Sequence, residues 1–521
     1  MSPYYAGFLV ALTIFFIHYL WSKKRQQAHG KEAPEVPGSC PIIGHIPLLA
    51  NCPNIHRQFA YFADHHGPAF TIHAGRLRIL VVNTWELSKD CLFVNDRALA
   101  DRPNLLFYEH FPPIFAFAKY GSFWRESRKI LVQNISSAAN LDSIQLFWIS
   151  EVDHLVRRLY TRWVCNNRDQ IDMKHELLGT MLNISTRIVA RKRYHGSKEG
   201  DAEARLFIRL FEETLYQLSI QNVGDAFPFL RRFDLLGNER AMKKTGQEVD
   251  ELMQKWVDEH RLQNKDSSSS TAAHDGGACT LDTDLIDMLL LKEKEGTLPN
   301  TYPSNSFIKG FIYAIIVGAT DTSAITLMWA LSLLVNNPHV LERAYAELDL
   351  HVGHERVVET SDLGKLVYLQ SIIKEALRLY PPSPLLGPHR ASEDCKVGDF
   401  HVFAGTTVMI NAWKIQRDPR VFTNPLEFRP ERFLEENRDM DVMGQQFILI
   451  PFGFGRRGCP GANMALRIVH LALARLLQAF DWTLLSGCAE VDMSEDTTTT
   501  LGRKHPLELI VVPRLSPELY K

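Results

Sequence analysis

The chain is poor in the features that mark several large classes of protein. Its formal net charge is only −2 over 521 residues, so it offers no reason to expect a nucleic-acid partner. Its eight cysteines do not follow the spacing of a metal site, and in a cytosol-facing protein we expect them to be reduced. It also has neither a dinucleotide-binding fingerprint nor a flavin domain of its own. We therefore do not expect nucleic-acid binding, a structural zinc site or self-sufficient flavin chemistry.

A convincing linker is also missing, although 521 residues could form about three domains. The low-complexity stretch at residues 264–277 is interpreted as a surface loop between helices. Most of the chain consists of long amphipathic runs, and short alternating segments such as residues 69–82 and 400–411 indicate strands. We therefore predict one large, mainly α-helical domain with minor β sheets.

Charged side chains are absent from the first 21 residues, and residues 4–21 form one apolar, aromatic-rich stretch. About 20 such residues span a bilayer. A basic cluster at 23–25 follows, and it indicates the cytosolic side of the membrane. A cleaved signal peptide is the alternative, but its positive charge would precede the apolar run. The predicted order is a transmembrane anchor at 1–22, a basic and proline-rich hinge at 23–50 and a globular domain at 51–521.

The segment PFGFGRRGCPG, from Pro451 to Gly461, is the most informative part of the chain because it sets Cys459 in a glycine-rich turn. The run ANMALRIVHLALARLLQAF that follows has apolar residues at helical spacing and no Pro or Gly. Cys459 is therefore predicted at a helix N-terminus, where the dipole and free N–H groups stabilise an anionic sulfur. A buried structural cysteine is the plain alternative. A thiolate there would be a soft axial ligand for haem iron.

The pattern F-x-x-G-x-R-x-C-x-G, from Phe452 to Gly461, resembles the haem-binding signature of the cytochrome P450 superfamily, with every signature position filled. The resemblance implies the cytochrome P450 fold behind an N-terminal transmembrane helix, with residues 51–521 as the haem-thiolate catalytic domain. It also implies haem b (iron protoporphyrin IX) as cofactor and Cys459 as the axial ligand of its iron. The glycines of the turn, Gly453 among them, would let the backbone lie close to the flat macrocycle.

Two further segments match a structural element of that family. On the run LVYLQSIIKEALRLYPP, Glu375 and Arg378 are three residues apart, so they share one helix face and can form a charge-assisted pair. A solvated helix face is the alternative for such a pair. Downstream, FRPERF supplies Arg432. In the resembled family these three residues form a buried triad that braces the haem-ligand loop.

A second match concerns the carboxylates of the haem. YGSFWRESRK places Trp124 and Arg128 four apart on one helix face, as in the family's haem-propionate clamp. Indole N–H and guanidinium groups both reach carboxylates. The resemblance adds Arg457 to this set, together with His389 in LLGPHRASED, where the adjacent Arg390 is an alternative.

The run YAIIVGATDTSAITLMWALSLL is an almost entirely apolar helix, so the polar groups in its middle need partners or a task. In the resembled family that task is proton delivery during oxygen activation, with Asp321 and Thr322 matching the acid and the alcohol. Back-bonding of Thr322 to the preceding helical turn is the structural alternative. The family usually has glycine where this chain has Ala319, and that methyl group would crowd the oxygen-binding groove.

A closer resemblance is to plant microsomal members, and among them to the eighty-two family, over nearly the whole chain. It implies a monooxygenase in the endoplasmic reticulum membrane, single-pass and facing the cytosol, that oxidises a small, largely apolar alkaloid, terpenoid or phenolic. NADPH–cytochrome P450 reductase would supply electrons, and Arg125, Lys129 and Arg456 could form its docking patch. The predicted substrate pocket comprises Phe111, Phe115, Ala314, Ile315, Ala319, Ser383, Leu385, Leu386, Thr500 and Leu501.

Two rival functions stay open at the level of sequence. One is a haem-thiolate isomerase or dehydratase that needs neither oxygen nor a reductase, although the intact Asp321–Thr322 pair argues against it. The other is a non-catalytic haem protein that binds a ligand.

Overall fold

The computed structural model describes residues 31–50, 52, 54–166, 170–196, 202–220, 222–267, 283–485 and 488–521. The predicted membrane anchor and the basic cluster after it lie outside these residues. In chain order the helices are α1 (Ile46–Ala50), α2 (Ile55–His66), α3 (Trp85–Lys89), α4 (Leu106–His110), α5 (Ser122–Leu131), α6 (Ala138–Asn166), α7 (Met173–Ala190), α8 (Ala202–Ser219), α9 (Val223–Ala226), α10 (Asn238–Ser267), α11 (Leu285–Lys294), α12 (Ser304–Val335), α13 (Pro338–His351), α14 (Val367–Leu379), α15 (Ala412–Ile415) and α16 (Ala462–Ala479).

The strands are few and short beside these helices. They are β1 (Ala69–Ala74), β2 (Leu77–Val82), β3 (Ile171–Asp172), β4 (His389–Arg390), β5 (Cys395–Val397), β6 (Phe400–Val402), β7 (Thr407–Ile410), β8 (Phe480–Thr483) and β9 (Glu508–Pro513). They form a sheet in the order β1-β2-β7-β4, a second in the order β3-β9-β8, and the pair β5-β6. The strands predicted at residues 69–82 and 400–411 are all present. A mainly α-helical domain with minor sheets is therefore confirmed.

Helix α12 runs through the centre of the molecule and packs against α7, α14 and α16. It is apolar around its whole circumference, which is the pattern of a helix that is buried on all sides. Within the described ranges it is the one helix long and apolar enough to span a membrane, but 67% of its most apolar window is buried inside the protein. Its burial is that of a core helix, and the core of the helical part is built around it.

Part of the predicted hinge, residues 31–50, packs on the first sheet. The N–H of Val36 donates to the carbonyl oxygen of Thr71 at 3.2 Å, and the N–H of Thr71 donates to that of Pro34 at 2.8 Å. His45 is fully buried, and its Nε2 lies 2.7 Å from the carbonyl oxygen of Val36. This half of the hinge is therefore structurally continuous with the body that follows it.

The predicted surface loop at 264–277 is only partly described. Helix α10 extends through Ser267, so the first four residues of that stretch are helical. The remainder of the stretch lies outside the described residues.

Candidate functional site

Cys459 lies between a short 3₁₀ turn, Gly455–Arg457, and the N-terminus of α16. Its own N–H donates to the carbonyl oxygen of Phe452 at 2.8 Å, which closes the loop on itself. The backbone N–H groups of Gly461 and Ala462 are hydrogen-bond donors to its sulfur. The helix predicted after the cysteine is present, and the dipole and free N–H groups at its start face the thiol.

Two glycines give the loop its shape. Gly453 and Gly455 have φ angles of +65° and +73°, which other residues rarely adopt. A Cβ at Gly455 would lie 2.5 Å from the carbonyl oxygen of Leu92, so the close approach also demands glycine. The letters from Gly453 to Gly458 also spell G-x-G-x-x-G. They follow a turn rather than a strand, so they are not a dinucleotide fingerprint.

The surroundings of the sulfur have opposing effects on the pKa of the thiol. Burial raises the pKa of the Cys459 thiol, while the N–H of Gly461, the guanidinium of Arg128 and the N–H of Ala462 each lower it. The exposed part of this side chain faces an internal cavity. The two N–H groups and the charge of Arg128 can therefore stabilise a thiolate once a metal takes the place of its proton.

The cavity has a volume of about 350 Å³ and reaches from the cysteine loop to α12. Its wall is mainly apolar and comes from α5, α7, α12, α14, α16 and the segment 382–389. All eight residues predicted to bind the cofactor line it: Trp124, Arg128, His389, Phe452, Gly453, Arg457, Cys459 and Gly461. The fold thus brings together residues that are more than 300 positions apart in the sequence.

Three arginines lie along one side of the cavity, and we call Arg102, Arg128 and Arg457 the arginine edge. None of the three forms an ion pair with a carboxylate in the described part of the chain. They donate instead to backbone carbonyl oxygens: Arg102 to Pro388 at 2.6 Å, Arg128 to Gly458 at 2.8 Å and Arg457 to Ala100 at 2.6 Å.

Burial lowers the pKa of Arg457 to about 9 and that of Arg102 to about 10. Unpaired buried charges are costly, and they become favourable when an anion binds between them. No pattern in the sequence predicts Arg102. It follows Asp101 in a segment that matches no motif, and only the fold brings it to the cavity.

His389 lines the same side but differs from the arginines in charge. Its Nδ1 lies 2.8 Å from the carbonyl oxygen of Leu99, so this nitrogen carries the proton. Burial, then the charges of Arg102 and Arg457, lower its pKa to about 3. His389 is therefore neutral at physiological pH, and it contributes shape and an acceptor nitrogen rather than a positive charge.

The two polar residues predicted to deliver protons have different positions on α12. Thr322 lines the cavity, and its Oγ1 donates to the carbonyl oxygen of Gly318 at 3.0 Å. This is the back-bond that the sequence left open as the alternative. Asp321 is outside the cavity wall, although it directly precedes Thr322.

Six of the ten predicted pocket residues line the cavity: Phe115, Ala314, Ile315, Ala319, Ser383 and Leu386. The other four lie outside the wall. Phe111 stacks on Tyr313, with ring centroids 6.4 Å apart, and Leu385 packs against the core beside the first sheet. Leu501 is buried and accepts a hydrogen bond from the indole of Trp329 on its carbonyl oxygen, while Thr500 lies beside the carboxyl of Asp321.

Behind the cysteine loop lies a second buried charge cluster, formed by Glu375, Arg378 and Arg432 and called the brace. All three side chains have no exposed surface. Arg378 binds the Glu375 carboxylate with two hydrogen bonds of 2.6 and 2.8 Å, and Arg432 binds it at 3.0 Å. The guanidinium nitrogens also donate to backbone carbonyl oxygens such as that of Pro425 at 2.7 Å. The brace is thus a fully paired cluster that ties α14 to the segment before the cysteine loop.

Known proteins are similar to this chain in sequence and in fold. The sequence profile of the Cytochrome P450 family matches residues 34–511. Xanthotoxin 5-hydroxylase CYP82C4 of Arabidopsis thaliana is 42% identical and covers 98% of each chain. A flavonoid-6-hydroxylase of Mentha piperita is 40% identical over 98% of this chain and 97% of its own.

A solved zebra fish cytochrome P450 superposes on this chain with a TM-score of 0.71 at 24% sequence identity, and the superposition covers 88% of this chain and 100% of the zebra fish chain. This similarity supports the fold. The sequence and fold of this chain, together with a cysteine loop that fills every position of the haem-binding signature, show that the chain belongs to the cytochrome P450 monooxygenases. Within them it belongs to the eighty-two family.

Proposed function

We propose that the chain is a membrane-anchored monooxygenase that oxidises a small, largely apolar specialised metabolite with molecular oxygen and electrons from NADPH. The substrate would be an alkaloid, a terpenoid or a phenolic. The observation that carries the proposal is a single cavity with three features: a helix-capped cysteine, an arginine edge that has no carboxylate partner among the described residues, and an apolar chamber under α12.

Haem b fits this donor set. Cys459 would bind its iron, and the arginine edge with Trp124 would hold its two carboxylates, which are the charges that this edge lacks. The guanidinium carbon of Arg457 lies 4.6 Å from the centre of the Trp124 ring, so the two side chains already support each other. Bound there, haem supplies the oxygen-activating redox chemistry that thiolate ligation favours.

Asp321 and Thr322 would deliver protons to the reaction in the cavity. Thr322 contributes a hydroxyl to the wall, and this hydroxyl can accept a hydrogen bond while it donates to Gly318. Asp321 is the nearest carboxyl in the sequence, and burial raises its pKa. A carboxyl with a raised pKa can release a proton closer to neutral pH than an exposed one.

Substitution of Thr322 tests this role. Thr322→Ala should keep haem and substrate binding but divert electrons from product to hydrogen peroxide. General acid–base assistance is typically worth ~10²–10⁴-fold, and a water molecule in place of the hydroxyl would reduce the loss. Ala319→Gly, three residues earlier on the same helix, is the matched control and should leave activity equal or higher. Full coupling of NADPH to product in Thr322→Ala would leave Thr322 as a helix-shaping residue only.

The apolar cavity wall supports a substrate with little charge. Relatives named as hydroxylases of xanthotoxin and of a flavonoid support the class of plant specialised metabolites. The wall adds a hydroxyl from Thr322 and one from Ser383, which can orient a polar substituent.

Electrons would come from a separate NADPH–cytochrome P450 reductase. Of the predicted docking patch, Arg125 and Lys129 are exposed on α5, which carries Trp124 and Arg128 on its buried side. Arg456 is also exposed, but its Nη1 lies 2.5 Å from Oδ2 of Asp96 and its charge is partly neutralised. We therefore assign the main attraction for an acidic partner to Arg125 and Lys129.

A second contact with the membrane would support the predicted anchor. Phe229, Leu235 and Leu236 are 66%, 66% and 68% exposed, and they follow α9. The N–H of Arg76, in the turn between β1 and β2, donates to the carbonyl oxygen of Ala226 at 3.1 Å. This turn also contacts Ile43 in the N-terminal segment, so the exposed apolar residues lie on the side from which that segment emerges. The localisation we propose is the endoplasmic reticulum membrane, single-pass, with the catalytic domain in the cytosol.

The function is tested with the full-length enzyme and a purified plant reductase. A library of plant metabolites is first screened for ligands that shift the haem absorbance, and each ligand is then tested for NADPH consumption and product formation. A monooxygenase consumes NADPH and oxygen in proportion to product. Product formation without oxygen would indicate an isomerase or dehydratase, and ligand binding without any turnover would indicate a binding protein.

A further inference from the structure

The wall of the cavity carries positive charge but no negative side chain. Among its described residues three are arginines, and none is an aspartate or a glutamate. Guanidinium groups stay protonated in proteins, and even the lowered pKa values of Arg102 and Arg457 are about 10 and about 9. His389 is neutral, because its pKa is lowered to about 3. The wall therefore holds three positive charges before any ligand enters.

The cofactor would balance only part of this charge. Haem b would bring two carboxylates to the arginine edge, while ferric iron, the porphyrin dianion and the thiolate of Cys459 together have no net charge. By formal charge, one guanidinium in excess remains in the loaded cavity. Its field weakens less with distance beside an apolar wall than it would in water, because the local dielectric constant is lower.

Part of the positive charge lies beside the predicted substrate pocket. The Nη1 of Arg102 donates to the carbonyl oxygens of Gly387 and Pro388 at 2.7 and 2.6 Å. Both belong to the segment 382–389, which also contributes Ser383 to the cavity wall. A substrate that contacts this segment is therefore close to a guanidinium.

The two carboxyl groups that flank wall residues in the sequence do not face the cavity. Asp101 precedes Arg102, but it lies outside the wall and its Oδ1 accepts the N–H of Tyr120 at 2.9 Å. Asp321 precedes Thr322 and also lies outside the wall, and burial raises its pKa, which favours its neutral form. Neither group therefore offers a counter-charge to a ligand in the cavity.

Aromatic rings can bind a cation without a carboxylate, but they need an open face. The ring of Trp124 is already in contact with a guanidinium, since the guanidinium carbon of Arg457 lies 4.6 Å from the ring centre. Phe115 stacks on Phe311, with ring centroids 5.3 Å apart, so part of its surface is covered as well. These two rings therefore give a cation little compensation.

We propose that the cavity excludes cations, so that its substrate is an uncharged phenolic or terpenoid and not a protonated alkaloid. The inference rests on the proposed function and narrows the substrate class within it. A cation would lose its hydration on entry and gain no counter-charge, which is costly in an apolar cavity. Unpaired charge against the wrong ligand is a general source of specificity.

The test compares three ligands of similar shape on the full-length holoenzyme: tert-butylbenzene, phenyltrimethylammonium and benzenesulfonate, which are neutral, cationic and anionic. None of them has an amine lone pair that could bind the iron. The haem absorbance shift and equilibrium dialysis measure their dissociation constants. We expect the cation to bind at least about a hundredfold more weakly than the neutral ligand, and more weakly than the anion. The order of the two ions separates an excess of positive charge from the general cost of dehydration.

A carboxylate added to the wall provides the second arm of the test. Ser383 suits this change because the backbone on both sides of it is held: the carbonyl oxygens of Pro382 and Pro384 accept the N–H groups of Leu501 and Trp413 at 2.9 and 3.1 Å. Ser383→Asp should bind phenyltrimethylammonium at least about tenfold more tightly than the wild type does. Ser383→Asn, which is matched in size and has no charge, should show no such gain.

The inference would be overturned if the wild type bound phenyltrimethylammonium as tightly as tert-butylbenzene, or as tightly as benzenesulfonate. An equal effect of Ser383→Asp and Ser383→Asn on cation binding would overturn it as well. If Ser383→Asp does not retain haem, the order of the three ligands in the wild type decides. Failure of the proposed function looks different, because neutral ligands would then bind in the expected order without being oxidised.

Discussion

The brace is a cluster of fully buried arginines and the arginine edge a cluster of half-buried ones, and the two differ in how their charge is balanced. In the brace, both guanidiniums bind the carboxylate of Glu375 at 2.6 to 3.0 Å. The guanidiniums of the arginine edge bind backbone carbonyl oxygens and no carboxylate among the described residues. Each guanidinium of the brace therefore has a carboxylate partner, whereas those of the arginine edge have none in the described part of the chain.

This difference separates architecture from ligand binding. A buried ion pair adds little net stability, but the loss of one partner is severe because an unpaired charge stays behind. A buried arginine without a partner already carries that cost in the folded chain, and an anionic ligand relieves it. The brace should therefore govern folding, and the arginine edge should govern retention of the cofactor.

The largest effect is expected for Glu375→Gln. The change leaves the buried guanidinium of Arg378 without a counter-charge and that of Arg432 with only Glu436, 4.0 Å away, so the free energy of unfolding should fall by about 3–5 kcal/mol. Urea unfolding followed by circular dichroism measures it. Glu435→Gln, an exposed glutamate nearby, is the control and should be close to neutral. A fall below about 1 kcal/mol for Glu375→Gln would show that the brace is not needed for folding.

A smaller effect, on haem affinity and not on folding stability, is expected for Arg128→Met at the arginine edge. The apoprotein should be as stable as the wild type or more stable, because the change removes a half-buried charge that has no carboxylate partner among the described residues. Haem should bind about tenfold to a hundredfold more weakly, since charge-assisted hydrogen bonds contribute that much. Haem transfer to apomyoglobin measures the affinity. Arg125→Met, on the exposed side of the same helix, is the control. Equal haem affinity in the two variants would remove the distinction between the clusters.

The smallest effect concerns His389, the neutral member beside the arginine edge. Burial lowers its pKa from 6.5 to about 3, so the unfolded chain binds its proton first as the pH falls. The stabilising contribution of the neutral form is therefore present above pH 6.5 and is lost as the pH falls toward 3. His389→Asn keeps an N–H donor for Leu99 and should flatten the decline of stability over this range. Thermal unfolding at several pH values measures it, and parallel pH curves would contradict the burial of a neutral imidazole.

The sequence was most informative where function depends on short local patterns. The cysteine loop is contiguous, so its glycines, its cysteine and the helix after it could be predicted together. Trp124 and Arg128 could also be predicted from the sequence, because a spacing of four on a helix puts both side chains on one face. Arg102 could not be predicted, since only the fold brings it to the cavity.

Predictions that depended on distant packing were less complete. Phe111 was placed in the pocket because it belongs to an aromatic run, but in the folded chain it stacks on Tyr313 outside the wall. Thr500 was assigned to the same pocket and instead lies outside the wall, beside the carboxyl of Asp321. In both cases the direction of the side chain depends on neighbours that no local pattern contains. The membrane anchor, outside the described residues, stays a prediction.

The central claim is that Cys459 binds the haem iron as a thiolate in the cavity bordered by the arginine edge. The most direct test is the absorbance spectrum of the reduced, carbon-monoxide-bound protein, compared between the wild type and Cys459→Ala. The wild type should give the red-shifted Soret band of thiolate ligation. Cys459→Ala should lose that band entirely, because no other soft anionic side chain lines the described cavity. A thiolate-type band that persists in Cys459→Ala would contradict the account.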